Sequence, residues 1–315
     1  MINHVRNFGC RLIRRGAAFP KRDQQRRRLS AMEGGEGLPL QDVVAQLERL
    51  ADVRGAESWD NVGLLVEPFT PTVVKTILLT NDLTQPVMTE AIKHDVNLIV
   101  SYHPPLFAPI KRIGSASWKE RLVAACLENR IAVYSPHTAW DAASGGVTDW
   151  LASAFDGHFD PAAVRPIIES NLDVAATPTI VGAGRHLITQ QLTLSKCVEL
   201  VKRRTGLAAV RLSIAIGKAI DSPVTSVGLV PGSGGSILKE VLSTRNSVPD
   251  LFVTGEMFHH DILDAAHAGV SVILTNHSDS ERGFLADVAE KLRAAFGPKV
   301  LVLGSSADRD PLRTV

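Results

Sequence analysis

The chain has 315 residues, 45% of them apolar and 21% charged, the proportions of an ordinary globular protein with room for two domains of common size. Net charge is +1, but residues 1–30 hold nine Lys or Arg against one acid, which leaves the remainder with 25 basic and 32 acidic residues, so direct nucleic-acid binding is not indicated. Three widely spaced cysteines (Cys10, Cys126, Cys197) argue against a disulfide framework or a thiolate zinc site, and no apolar run approaches the ~20 residues a membrane helix needs.

Residues 1–37 read as a basic targeting segment followed by a Gly-rich acidic linker. Val5, Phe8 and Leu12 share one helical face with Arg11, Arg14 and Arg15 off it, the pattern of a mitochondrial transit peptide. The alternative is a disordered basic tail, or upstream sequence skipped when translation starts at Met32, with cytoplasmic and nuclear residence. Helical spacing of Val43, Val44, Leu47 and Leu50 then opens a first half, residues 38–160. Trp59-Asp60-Asn61 reads either as a site wall or as an Asx turn before the strand that follows.

From Val73 strands and helices alternate. Strands are expected at Val73–Thr80, Asn97–Ser101 and Ile131–Tyr134, with helices at Gln85–His94, Ser117–Asn129 and Val147–Phe155. Residues 161–225, broken by prolines, read as an α/β connection carrying a helix over Leu194–Thr205. Residues 226–315 resume the alternation, with strands at Ser226–Val230, Leu251–Thr254 and Ser271–Thr275 and a last one at Val300–Leu303. The fold class expected from the alternation is α/β, two halves of βα units with mainly parallel sheets.

Polar residues collect directly after apolar strands: Asn81-Asp82, Tyr102-His103, His137 with Asp141, Glu256 with His259 and His260, and His277 with Glu281. Open α/β sheets build their sites beyond the carboxyl ends of strands, and His, Asp and Glu are ligands for divalent metals. A helix beginning near Ser278 would turn His277 and Glu281, four residues apart, the same way. Ser278-Asp279-Ser280-Glu281 equally reads as a capping box with Glu281 closing the helix start. Asp141 could likewise be an N-cap, and His103 could cap an extended loop. The Gly-rich turn Pro231–Ser236 could cradle an anion through Gly232, Ser233, Gly234, Gly235 and Ser236, although it lacks P-loop and G-x-G-x-x-G spacing. There is no G-x-S-x-G elbow and no cysteine beside a strand-end histidine, which turns the enzyme reading toward a metal-activated water.

The segments SWDNVGLLV (58–66), NDLT (81–84), SYHPPLF (101–107), YSPHTAWDAASGGVTDWL (134–151), GEMFHHD (255–261) and NHSDSERGFL (276–285) together resemble the NIF-three-like family, whose members are also described as GTP cyclohydrolase type-two homologues. The resemblance covers roughly residues 40–315 and has the pattern of the animal members. It implies that the two α/β halves are similar and face a central metal cleft holding a dinuclear site, and that the chain forms ring-shaped homo-oligomers, hexamers built from dimers. It assigns metal ligation to His103, Asp141, His277 and Glu281, and in animals a role beside transcriptional co-regulator proteins. The departure is Tyr102, where the family pattern has a first histidine. A phenol replaces imidazole poorly as a ligand, so one or two ions per chain are expected. Mixed N and O ligands suit zinc, manganese, iron or magnesium. The function expected is a metal-dependent hydrolase-like enzyme for a small phosphorylated or nucleotide-like substrate, with Glu256 or His260 as acid–base residue. The alternative is a non-enzymatic interaction protein with a structural or vestigial metal.

Overall fold

The computed structural model describes residues 35–170, 172 and 181–313, so the basic N-terminal segment lies outside the described residues. Two five-stranded sheets form the frame. The first contains β1 (Gly63–Val66), β2 (Thr76–Thr80), β3 (Leu98–Ser101) and β4 (Ala132–Ser135). The second contains β5 (Arg185–Thr193), β6 (Arg211–Ser213), β7 (Pro223–Ser233), β8 (Leu251–Glu256) and β9 (Ser271–Leu274). The last strand, β10 (Leu301–Gly304), does not stay with the second half. It returns to the first sheet and pairs in parallel with β2. The spatial orders are β10-β2-β3-β4-β1 and β6-β9-β8-β7-β5, and only the edge strands β1, β5 and β6 run antiparallel to their neighbours.

The central strands of these sheets are covered on both faces, which is why they read as unbroken apolar runs, whereas the edge strands β5 and β6 are partly exposed. Alternate residues point to different layers. Ile77 and Leu79 of β2 face the core between the sheets, whereas Leu78 faces helices α2 (Gln85–Lys93) and α3 (Trp118–Glu128). In the second sheet Leu251, Val253 and Ile273 join the central core, while Phe252 and Val272 face outward toward α7 (Gly235–Thr244) and α8 (His259–His267). The central layer holds α1 (Leu40–Leu50), α4 (Thr138–Ala142), α5 (Val147–Ala152), α6 (Leu194–Thr205) and α9 (Phe284–Phe296). Gly283 lets the ring of Trp150 close against the start of α9, where an added methyl would lie 2.1 Å from the ring.

The described part of region 161–225 contributes β5, β6 and the start of β7 to the second sheet. No helix among the described residues is long and apolar enough to cross a membrane.

Candidate metal centre

The carboxyl ends of β2, β3, β4, β7, β8 and β9 meet where the two sheets approach one another. Past β3 the chain keeps the ladder going for two residues: Tyr102 N–H donates to Thr80 O and His103 N–H to Asn81 O, both at 2.9 Å. Ser101 Oγ donates to His103 O at 2.7 Å and Ser135 Oγ to Tyr102 O at 2.9 Å. The His103 backbone is thereby pinned before Pro104.

Past β9 the expected helix does not begin at Ser278. Residues Ser278–Ser280 form a single 3-10 turn, and α9 starts only at Phe284. Side chains explain the delay. Ser278 N and Oγ both donate to Asp310 Oδ2, at 3.2 and 2.8 Å, so Ser278 caps nothing. Ser280 Oγ donates to His277 O and accepts from Gly232 N, and Asn276 is held at φ 66°. Glu281 is thus released from the capping role and turned inward, with only 3% of its side chain exposed.

His103, His277 and Glu281 converge, and one ligand atom from each lies within 4.8 Å of the others. His103 Nδ1 is 2.9 Å from Asp82 Oδ1, and His277 Nδ1 is 2.8 Å from Glu256 Oε1. Each Nδ1 is placed to donate to its carboxylate, so in the neutral, metal-binding form of each ring the lone pair is on Nε2, facing Glu281. The Nε2 atoms lie 3.4 Å from Glu281 Oε2 (His103) and 3.6 Å from Oε1 (His277). Asn81 Nδ2 donates to Glu281 Oε2 at 3.0 Å and fixes its orientation.

Two observations fit a cation on this donor set. His103 Nε2 is buried without a hydrogen-bond partner, an arrangement that is costly unless something else satisfies the atom. Gly232, at φ 64°, comes so close that a Cβ would lie 2.6 Å from Glu281 Oε1 and 3.1 Å from His277 Nε2. Glycine keeps that space open. The electrostatics agree. Burial opposes a charge on His103, but Glu281 and Asp82 outweigh it and lift its pKa to about 10. Burial first, then the charge of Glu281, lifts Asp141 to about 7. A cation would supply the positive charge that these protons supply in its absence.

His137 completes this face. Its backbone sits at φ 34°, a conformation costly for a residue with a side chain. Its Nδ1 is 2.7 Å from Asp60 Oδ1, while Asp60 Oδ2 accepts from Thr138 N–H at 3.2 Å and from the Thr138 hydroxyl. Trp59 and Phe107 stand edge-on to the imidazole, 6.1 and 6.4 Å away between centroids. A cleft of about 430 Å³ opens here, with His137, Asp141, Gly232, Ser233, His277 and Glu281 in its wall.

The remaining residues marked out in the sequence are distributed as follows. Asp141 borders the cleft but accepts from the Tyr102 hydroxyl through both oxygens, at 3.0 Å each, and it is not one of the converging three. Glu256 supports His277, as described. His260 is exposed on α8 and touches His259. In the turn Pro231–Ser236 the amides of Gly232 and Gly234 already donate, to Ser280 and Thr254 hydroxyls, while Ser233 and Ser236 line the cleft. The orienting roles of Asp60, Asp82 and Asn81 were not evident from sequence. Asp60 stood out as part of a site wall or an Asx turn, without its partner His137, which is 77 residues away.

Residues 38–311 match the family described as Duf34/NIF3 (NGG1p interacting factor 3). NIF3-like protein 1 of Drosophila melanogaster is 45% identical over 287 residues, covering 91% of this chain and 93% of that protein. NGG1-interacting factor 3 of Saccharomyces cerevisiae is 36% identical over 267 residues, covering 81% of this chain and 90% of that protein. A Bacillus cereus protein related to NIF3 has the same fold, with a TM-score of 0.73 at 20% identity, covering 88% of this chain and 99% of that one. The chain belongs to the Duf34/NIF3 family.

Proposed function

We propose that this protein is a metal-dependent, hydrolase-like enzyme acting on a small phosphorylated or nucleotide-like molecule in the cleft between its sheets. The supporting observation is the pair of imidazoles, each aimed by its own carboxylate, whose Nε2 atoms both face the buried Glu281. His103, His277 and Glu281 would hold a divalent ion, which supplies Lewis acidity and lowers the pKa of water. The chain's own residues do the rest. Asp82 and Glu256 orient the two imidazoles. His137, fixed by Asp60 and facing the cleft, joins Glu256 as the candidate for moving a proton to or from substrate. His260, exposed on the outer helix, is left without that role. Ser233 and Ser236 offer hydroxyls to an anionic group.

The test is a screen of nucleotides, phosphoesters and pterin precursors with protein loaded in turn with zinc, manganese, iron and magnesium. Turnover that disappears in Glu281→Ala is expected. No turnover at full occupancy would sink the enzymatic reading.

A second reading rests on the name of the yeast relative, an NGG1-interacting factor. In it the chain is a partner of transcriptional co-regulator proteins, assembled as a homo-oligomer, and the ion is structural. A His277→Ala, Glu281→Ala variant that still rescues loss of the protein in cells would favour it, and failure to rescue would favour the enzyme.

A further inference from the structure

Four side chains are candidates for holding the ion, and the structure treats them unequally. Three present donor atoms to one another: His103 Nε2, which has no hydrogen-bond partner, His277 Nε2, and the carboxylate of Glu281, whose Oε2 also accepts from Asn81. The fourth, Asp141, is closed. Tyr102 is 1% exposed, and its hydroxyl stands 3.0 Å from both Asp141 oxygens, in the mouth of the carboxylate. A cation bound to Asp141 through both oxygens would need that same position.

Tyr102 is also held firmly. Its carbonyl accepts from Ser135, its amide donates to Thr80, and its ring packs against His103 and Trp140 at centroid distances of 5.1 and 6.1 Å. A phenol whose hydroxyl donates to a carboxylate is a poor ligand beside imidazole and carboxylate.

We infer that the chain binds a single divalent cation, on His103, His277 and Glu281, and that Tyr102 closes Asp141 against a second. This rests on the cation reading of the cleft. It narrows the expected one or two ions per chain to one and leaves Asp141, which the family resemblance offers as a ligand, without an ion. Two nitrogens, one carboxylate and open positions facing the cleft suit zinc or ferrous iron.

The experiment is metal counting on the full chain. Metal-stripped protein is titrated with Co²⁺, followed by its visible absorption, and elemental analysis is repeated after zinc loading and dialysis. One ion per chain is expected, and His277→Ala should hold it at least tenfold more weakly. Asp141→Asn should keep its ion with an affinity within about threefold of the parent, since a removed ligand or orienting group costs ten-fold or more. Tyr102→His should take up a second ion, because imidazole then faces an uncovered Asp141. Two ions in the parent chain, or a tenfold weaker ion in Asp141→Asn, would overturn the inference while leaving the cation reading standing. A single ion in Tyr102→His would overturn the part given to Tyr102. No ion in the parent would overturn the cation reading itself.

Discussion

His103 and His277 face each other across the cleft, 5.1 Å apart between ring centroids, and each sheet contributes one of them. Their surroundings differ. His103 is the less exposed member, with 20% of its side chain exposed, and its supporting Asp82, 35% exposed, is held below the usual carboxylate range because His103, together with Arg282 and His277, outweighs the effect of burial. His277 is 36% exposed and its supporting Glu256 49% exposed. One side of the centre is thus a fixed wall set deep in the first sheet, and the other is a rim open to water. Ligand exchange and substrate entry belong to the rim. Geometry is set by the wall.

The shared ligand is where this comparison breaks most completely. Glu281→Ala removes the buried carboxylate that both Nε2 atoms face, and the ion should no longer survive dialysis, as measured by elemental analysis. Gly232→Ala should come close to it, because the new methyl would sit 2.6 Å from Glu281 Oε1 at a φ that also disfavours alanine. A Gly232→Ala protein that binds its ion normally would refute the close approach. The two supporting carboxylates then sharpen the difference between wall and rim. Asp82→Asn and Glu256→Gln should each weaken the ion, within the range of about ten- to a hundred-fold known for such partners. Asp82 should lie at the upper end and Glu256 at the lower, since an exposed hydrogen bond is readily replaced by water. Equal losses in a Co²⁺ titration would erase the distinction.

The smallest effect concerns the segment that ties both sides together. After β10 the chain turns back over the site, where Asp308 accepts from Asn81 N–H at 2.7 Å and Asp310 from Ser278. Glu90 anchors this segment by accepting from Ser305, Ser306 and Ala307. Burial opposes its charge, but those hydrogen bonds prevail and hold its pKa below the usual value. A carboxylate lowered in the folded state gives stability that is full above its unfolded pKa and lost as pH falls through the folded one. Glu90→Gln should therefore cost about 1 kcal/mol at neutral pH and nothing extra in acid, read from denaturant unfolding at pH 7 and pH 3. An equal cost at both would rule the charge out.

Much of the frame was legible in the sequence because sheets covered on both faces demand unbroken apolar strands, and parallel strands place their carboxyl ends together. His277 and Glu281 were legible by spacing, yet for an incomplete reason: the helix that was to align them starts later, and a serine-tied 3-10 turn presents them instead. What pattern could not show was pairing across distance. Nothing local says that β10 returns to β2, that Asp60 serves a histidine 77 residues on, or that Asn81 binds Glu281 200 residues away. Tyr102 was visible as a departure from the family pattern, but its grip on Asp141 depends on two strand ends being neighbours.

The central claim, that these two imidazoles and Glu281 form a cation site, is tested most directly by X-ray absorption at the zinc edge of the loaded protein. The account expects a nitrogen and oxygen shell with the outer-shell scattering of two imidazoles, falling to one in His277→Ala. A spectrum without imidazole scattering, or one unchanged by that substitution, would contradict it.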